Sequence, residues 1–348
     1  MGIKILHSAD WHLDSSFAGF PEGERQFLRQ AQREIPEKIA SLCRRENCDL
    51  VLLAGDLFDG DPAPDTVRRV KRALADCVVP VMIAPGNHDH FAACSPWLEE
   101  WPENVYIFRE PGSVVLKDLD CRVCGAGYES MDCPPLLEGF RAEGRERRCV
   151  MVLHGDPVAR NSPCCPVTAA QVRESGLDYL ALGHIHRAGS FRAGETLCAW
   201  PGCPMGRGWD ETGEKGVYLV TLGERTDIRM ADLGLPRFYA AELDGRDNGR
   251  QVLEACLPAA PSADFYRVKL TLRDKKEAET LRARFAHIPH LQLLAEEAEG
   301  DLWQDAGEDT LLGVYFSLLK QAAGEDPRAA LAAEISRKLL AGREVTLP

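Results

Sequence analysis

The sequence predicts a layered α/β domain, with β-sheets flanked by helices, followed by a small α+β domain. Three observations carry that expectation. Five short apolar runs recur through the first ~200 residues. Helical spacing fills the intervals between the first three. Near residue 235 the pattern changes to an alternating strand and amphipathic helices.

The apolar runs are Ile3–Leu6, Leu50–Ala54, Val79–Ala84, Val150–Leu153 and Tyr179–Leu182. Each has strand length and is rich in Val, Leu or Ile, as strands buried on both faces are. Between the first two, Phe27, Leu28, Ala31, Ile35, Ile39 and Leu42 share one helical face. Between the second and third, Val67, Val70 and Leu74 repeat that spacing behind Pro64-Asp65-Thr66. Strand alternating with helix suggests a layered α/β domain. Beyond Leu233–Phe238, Tyr266, Val268, Leu270 and Leu272 alternate with Arg267, Lys269, Thr271 and Arg273, the pattern of a half-buried strand. A helical pattern over Lys275–Ala286 and a short apolar run at Leu291–Leu294 follow. Asp309–Ala323 forms a helix carrying Leu311, Leu312, Tyr315, Phe316 and Leu319. The last helix begins at Asp326-Pro327 and stops at Gly342. The domains are therefore 1–235 and 236–348.

Composition excludes several classes. With 45% hydrophobic and 27% charged residues in 348, the chain is neither disordered nor fibrous. No apolar run approaches the ~18 residues of a membrane span. Met1-Gly2-Ile3-Lys4-Ile5 lacks an apolar leader, and Leu6 breaks the myristoylation pattern. The expectation is a soluble cytoplasmic protein without membrane contact. Thirteen cysteines include a single C-x-x-C, Cys121 and Cys124, and read as buried free thiols rather than a zinc site. The net charge of -13 divides as 26 basic and 35 acidic residues up to 235, then 15 and 19. Neither half is a basic nucleic-acid module, although bound divalent cations would add positive charge locally. The run Arg141, Arg145, Arg147, Arg148 is interrupted by Glu143 and Glu146 and reads as a solvated helix face.

A polar cluster follows each apolar run: Asp10-Trp11-His12, Gly55-Asp56-Leu57-Phe58-Asp59, Gly86-Asn87-His88-Asp89, His154-Gly155-Asp156 and Gly183-His184-Ile185-His186. Ligands bind beyond the carboxyl ends of strands in open α/β sheets, so these clusters are expected to converge on one edge. Each alone is an ordinary strand-end turn; all five in order point to a site. Imidazole, carboxylate and amide donors without thiolate suit manganese, iron or zinc. Seven donors are too many for one ion and about right for two with a bridging carboxylate.

That order of motifs resembles the calcineurin-like metallophosphoesterases. Ile5-Leu6-His7-Ser8-Ala9-Asp10-Trp11-His12-Leu13-Asp14-Ser15 resembles the opening of bacterial DNA-repair exonucleases of the SbcD and YhaO type. Pro201-Gly202-Cys203-Pro204, Gly206-Arg207-Gly208 and Gly213-Glu214-Lys215-Gly216-Val217-Tyr218 are similar to the YhaO branch. The resemblance covers residues 1–222 most specifically and implies a metallophosphoesterase sandwich. It implies that Asp10, His12, Asp56 and His186 hold one divalent ion. Asp56 then bridges to a second held by Asn87, His154 and His184. Manganese comes first, with iron or zinc also fitting. His88 matches the catalytic histidine and Asp89 would orient it. Asp59 stands where archaeal and eukaryotic relatives usually carry a second histidine.

The reaction so implied is two-metal hydrolysis of DNA phosphodiesters, with His88 stabilising charge or protonating the leaving alkoxide. The alternative is a phosphodiesterase or phosphatase on nucleotides or other small phosphoesters. Arg160, Arg207 and Trp209 are the candidates for strand contact, or else ordinary loop residues. Related exonucleases imply an SMC-type coiled-coil ATPase as partner; the apolar residues of the C-terminal helices read as the core of the small domain, or else as its docking surface, and a homodimer is left open.

Overall fold

Ile5 and Leu6 stand side by side in the first strand, β1 (Ile3–Ser8), and point to opposite faces, yet neither is exposed. A strand buried on both sides needs layers on both sides, and the computed structural model, which describes residues 2–298, 302–340 and 342, supplies them. After β1 come α1 (Glu22–Arg33), α2 (Ile35–Glu46), β2 (Leu50–Leu53), α3 (Pro64–Ala75), β3 (Val81–Ile83) and β4 (Val105–Ile107). Next are β5 (Gly112–Leu116), β6 (Cys121–Ala126), β7 (Arg148–His154), α4 (Ala169–Ser175) and β8 (Tyr179–Gly183). Then follow β9 (Gly189–Ala193), β10 (Thr196–Trp200), β11 (Val217–Leu222) and β12 (Thr226–Ala231).

One sheet has the order β12-β11-β1-β2-β3-β4, with β1 to β4 parallel and β11 and β12 antiparallel at one side. The other has the order β5-β6-β7-β8-β10-β9, parallel in its middle four strands. Ile5, Leu52 and Val220 of the first sheet meet Val123, Val152 and Ala181 of the second in one buried cluster. On the outer face of the first sheet, Leu6, Val51 and Ile83 pack against Leu28, Ile39 and Val70 of α1, α2 and α3. α4 covers the second sheet with Val172 against Met151 and Leu180. This is the expected layered α/β fold, two sheets flanked by helices.

Two expectations need correction. The single helical stripe from Phe27 to Leu42 belongs to two helices, because Pro36 sits in the first turn of α2, where its missing N–H costs nothing. Phe27 is left 37% exposed. Arg141 to Arg148 is not a helix face. It is irregular chain entering β7, with Arg141 paired to Glu174, and Arg148 to Asp178. The thirteen cysteines are free, nine of them buried.

The chain divides into two compact units, Met1–Ala240 with Ala263–Tyr266, and Ala241–Ser262 with Arg267–Pro348. Phe265 belongs with the first because its ring packs on Phe20 and Phe238. Strands β13 (Phe238–Asp244), β14 (Phe265–Leu272) and β15 (Leu291–Glu297) form a three-stranded sheet in that order. β14 alternates as expected, with Val268, Leu270 and Leu272 buried. The second unit carries α5 (Gly249–Cys256), α6 (Glu277–Arg284), α7 (Leu311–Ala322) and α8 (Pro327–Leu340). Pro327 opens α8, and Gly342 beyond it has a left-handed φ of 70°. Among the described residues, no helix is long and apolar enough to cross a membrane.

Candidate metal centre

The carboxyl ends of β1, β2, β3, β7 and β8 meet along one rim, and backbone hydrogen bonds tie the loops that leave them. Asp10 N–H donates to Gly55 O at 3.0 Å, and His12 N–H to Asp56 O at 3.0 Å. His184 N–H donates to Asp10 Oδ1 at 2.9 Å. The loops turn so abruptly that Asp10, His12, Asp56 and His184 all have positive φ, between 46° and 89°. Side-chain-bearing residues rarely adopt that region, and such strain concentrates at functional sites. Gly86 allows a further close approach: a Cβ there would lie 2.3 Å from Asp56 Oδ1 and 2.8 Å from His154 Cγ.

Asp56 is central. Its Oδ2 lies 3.7 Å from His12 Nε2 and 3.3 Å from His154 Nε2. On one side His12 Nε2 and His186 Nε2 face each other at 3.1 Å. Asp10 completes that side, and its Oδ2 is buried without a hydrogen-bond partner. On the other side Asn87 Oδ1 stands 3.0 Å from His154 Nε2, while His154 Nδ1 meets Ala54 O at 2.8 Å. Asp10, His12 and His186 form one group of ligand atoms within 4.8 Å of one another, and Asp10, Asp56 and His154 another. His184 borders the second side, ring against ring with His154 at 5.2 Å, and its Nε2 lies 3.8 Å from Asp156 Oδ2. An orphaned buried carboxylate oxygen and converging imidazole nitrogens are what divalent cations would satisfy.

Electrostatics agree with that fit. Burial opposes ionisation of Asp56, but His154 and His12 outweigh it and hold its carboxyl well below the usual range. Burial lowers the His154 pKa, yet Asp56 and Asp10 win and push it up to about 10. Ligation requires neutral imidazole, so a cation there would displace a proton. Burial lowers both His12 and His184.

The expected pairing of Asp89 with His88 is not what the fold builds. The hydrogen bonds of the Asp89 carboxylate go to backbone N–H groups of Asp56, Leu57, Phe58 and Gly86. A carboxylate buried where the chain doubles back is well placed to satisfy those donors. Burial and the Asp56 charge raise its pKa to about 7. Asp59 takes the other role, with Oδ1 3.2 Å from His88 Nδ1 and 3.5 Å from His12 Nδ1. Hydrogen bonding to His12 and His88 holds Asp59 well below the usual range.

Sequence reasoning missed Glu211. It is buried, with Oε1 2.6 Å from His186 Nδ1, in the loop between β10 and β11. A carboxylate 25 residues beyond its histidine, outside any strand-end cluster, leaves no periodic signal. Arg207 lies at this site as a partner of Glu211, 3.0 Å away, while Trp209 packs on Phe20 and Phe238. Arg160 is exposed beside Pro157 and Phe191.

A double-sheet α/β sandwich with a shared Asp/His/Asn cluster at its strand ends defines a metallophosphoesterase. Residues 3–188 match the calcineurin-like phosphoesterase family, and the chain belongs to it. Members bind two divalent metals, and the Asp/His cluster is the candidate place for them here. The chain is 32% identical over 234 residues to the uncharacterized metallophosphoesterase YhaO of Bacillus subtilis, covering 63% of this chain and 57% of the relative. It is 24% identical to the SbcD component of nuclease SbcCD from the same organism, covering 63% and 66%. It is 37% identical to a DNA double-strand break repair protein of Aeropyrum pernix, covering 71% and 64%. The chain thus matches less than two thirds of the length of each of these relatives.

Proposed function

We propose that this phosphoesterase hydrolyses DNA phosphodiester bonds with two manganese ions. The observation that carries the reading is the shared carboxylate of Asp56, 3.7 Å from His12 and 3.3 Å from His154, which supports a bridged pair of cations. Iron or zinc fit the same donors. The DNA substrate is favoured by the two relatives named as part of a nuclease and as a DNA break repair protein.

When bound, the ions supply Lewis-acid stabilisation of phosphate charge and acidify a water. Asp10, His12, Asp56 and His186 would hold one, and Asp56, Asn87, His154 and His184 the other. His88, on the rim with its side chain 41% exposed, is anchored through Nδ1 on Asp59. Its Nε2 would then give a proton to the departing alkoxide oxygen. Asp89 holds the two loops that present Asp56 and Asn87. A partner completes the reading: α7 and α8 expose Leu311, Leu318 and Leu339, a surface suited to a helix of an SMC-type ATPase.

The test is manganese-dependent degradation of end-labelled linear DNA, with His88→Ala as control. Loss of degradation in the variant and without metal supports the proposal. Hydrolysis of bis-p-nitrophenyl phosphate without DNA cleavage would move the substrate to small phosphoesters.

A further inference from the structure

Two cation positions flanking one carboxylate need not be equal, and the histidines here are supported unequally. His154 turns Nδ1 to a neutral acceptor, the Ala54 carbonyl, at 2.8 Å. His186 turns Nδ1 to an ionised one, Glu211 Oε1, at 2.6 Å. We infer that Glu211 is a positioning residue for His186, making the cation position on the His12/His186 side the tighter of the two. The inference rests on the two-metal reading above and adds a residue outside the five strand-end clusters.

Glu211 is built for that task. Its Oε2 accepts from Arg207 N–H at 2.8 Å and lies 3.6 Å from Cys203 Sγ. The Arg207 guanidinium reaches Oε1 from Nη2 at 3.0 Å and from Nε at 3.4 Å. The same segment grips the histidine backbone: Lys215 Nζ donates to His186 O at 3.0 Å, and Cys203 N–H at 3.3 Å. His186 is therefore held through both its ring and its carbonyl.

The tautomer follows from the geometry. His186 Nε2 faces His12, so its lone pair serves the cation and Nδ1 carries the proton. That proton points at Glu211. Arg207 Nη2 also lies 3.2 Å from Nδ1 but cannot donate to a protonated nitrogen, so it acts on the carboxylate. An anionic acceptor behind a ligating imidazole fixes its direction and raises its basicity, and losing one typically costs about 10–100-fold in metal affinity. A backbone carbonyl fixes direction with less effect on basicity.

The experiment is a manganese titration of the chelator-stripped full chain, reading free Mn2+ by its paramagnetic resonance signal. Wild type should take up ions in two steps of unequal affinity. Glu211→Gln should weaken the tighter step by about 10–100-fold and leave the other within about twofold. Asp10→Asn should weaken that same step, and Asn87→Ala the other. Glu211→Asp, which keeps the charge, should fall between wild type and Gln, a rescue that a purely structural role would not give. Two unchanged steps in Glu211→Gln, or equal weakening of both, would overturn the inference. If Glu211→Gln does not fold, Glu211→Asp decides alone, and a wild-type pattern in it would overturn the assignment. Wild type that binds no manganese would sink the two-metal reading itself, a result distinct from failure of the Glu211 role.

Discussion

Replacing Gly86 by alanine adds one methyl group at the most crowded point of the site. The new carbon would lie 2.3 Å from Asp56 Oδ1 and 2.8 Å from both Cγ and Nδ1 of His154. Ordinary contacts of this kind begin near 3.4 Å, so roughly 1 Å of displacement is required. Asp56 cannot swing away cheaply, because His88 N–H holds its Oδ1 at 2.9 Å. His154 is equally confined, fully buried and fastened to Ala54 O. The clash therefore falls on the bridging carboxylate and its neighbour together. Overpacking of this kind costs about 1–3 kcal/mol of stability. A misplacement of about 1 Å in a catalytic array costs about 100-fold in rate, or about 2.7 kcal/mol of barrier. The assay is hydrolysis of bis-p-nitrophenyl phosphate at saturating manganese, with thermal melting of the same sample. The expected result is a folded protein with kcat reduced about 100-fold. Wild-type kcat with a wild-type melting curve would refute the assignment of Asp56 and His154 as facing ligands.

Other perturbations separate the parts of the site. His88→Ala should keep both manganese uptake steps while turnover falls about 100-fold or more, measured by titration and steady-state kinetics. Each manganese position held at about 100 times its own dissociation constant should stabilise the stripped protein by about 2.7 kcal/mol, read in urea unfolding. His7 concerns the fold: its ring lies buried between Tyr179 Oη at 2.8 Å and Leu182 O at 3.0 Å, and burial lowers its pKa from 6.5 to about 3. The unfolded chain takes up a proton below pH 6.5 that the folded chain refuses, so stability falls with pH down to about 3. His7→Gln should remove up to about 1.4 kcal/mol per pH unit of that dependence, seen by comparing urea midpoints at about pH 7 and about pH 5. An unchanged slope would show that His7 does not report through burial.

The five strand-end clusters were legible because a buried parallel strand is an apolar run and its exit is the first place a polar side chain can stand. Periodicity located β1, β2, β3, β7 and β8 for that reason. It did not locate the edge strands β4, β5, β9 and β12, whose partly exposed residues dilute the apolar signal, nor the buried strands β6, β10 and β11. Asp59 and Asp89 show the limit of motif spacing. Asp89 is next to His88 in the chain and Asp59 far from it, yet the fold of the loops makes Asp59 meet His88 while Asp89 meets backbone N–H groups. Glu211 was beyond reach because its partner is set by a loop that returns to the rim after another strand pair.

The left-handed backbone at Asp10, His12, Asp56 and His184 has a consequence for how this site would fare under selection. Each such residue holds about 1–3 kcal/mol of local strain that the rest of the fold must offset. In metal-free protein the pull of His154 and His12 offsets part of it at Asp56, whereas burial keeps His184 neutral. His184→Gly relieves the strain without stripping a buried partner of its counter-charge, so metal-free His184→Gly should melt above metal-free wild type while hydrolysis falls sharply. A library screened only for thermal resistance would accordingly discard His184 early, in favour of glycine or asparagine. Glycine or asparagine at position 184 would then mark descendants that kept the sandwich and let the reaction go.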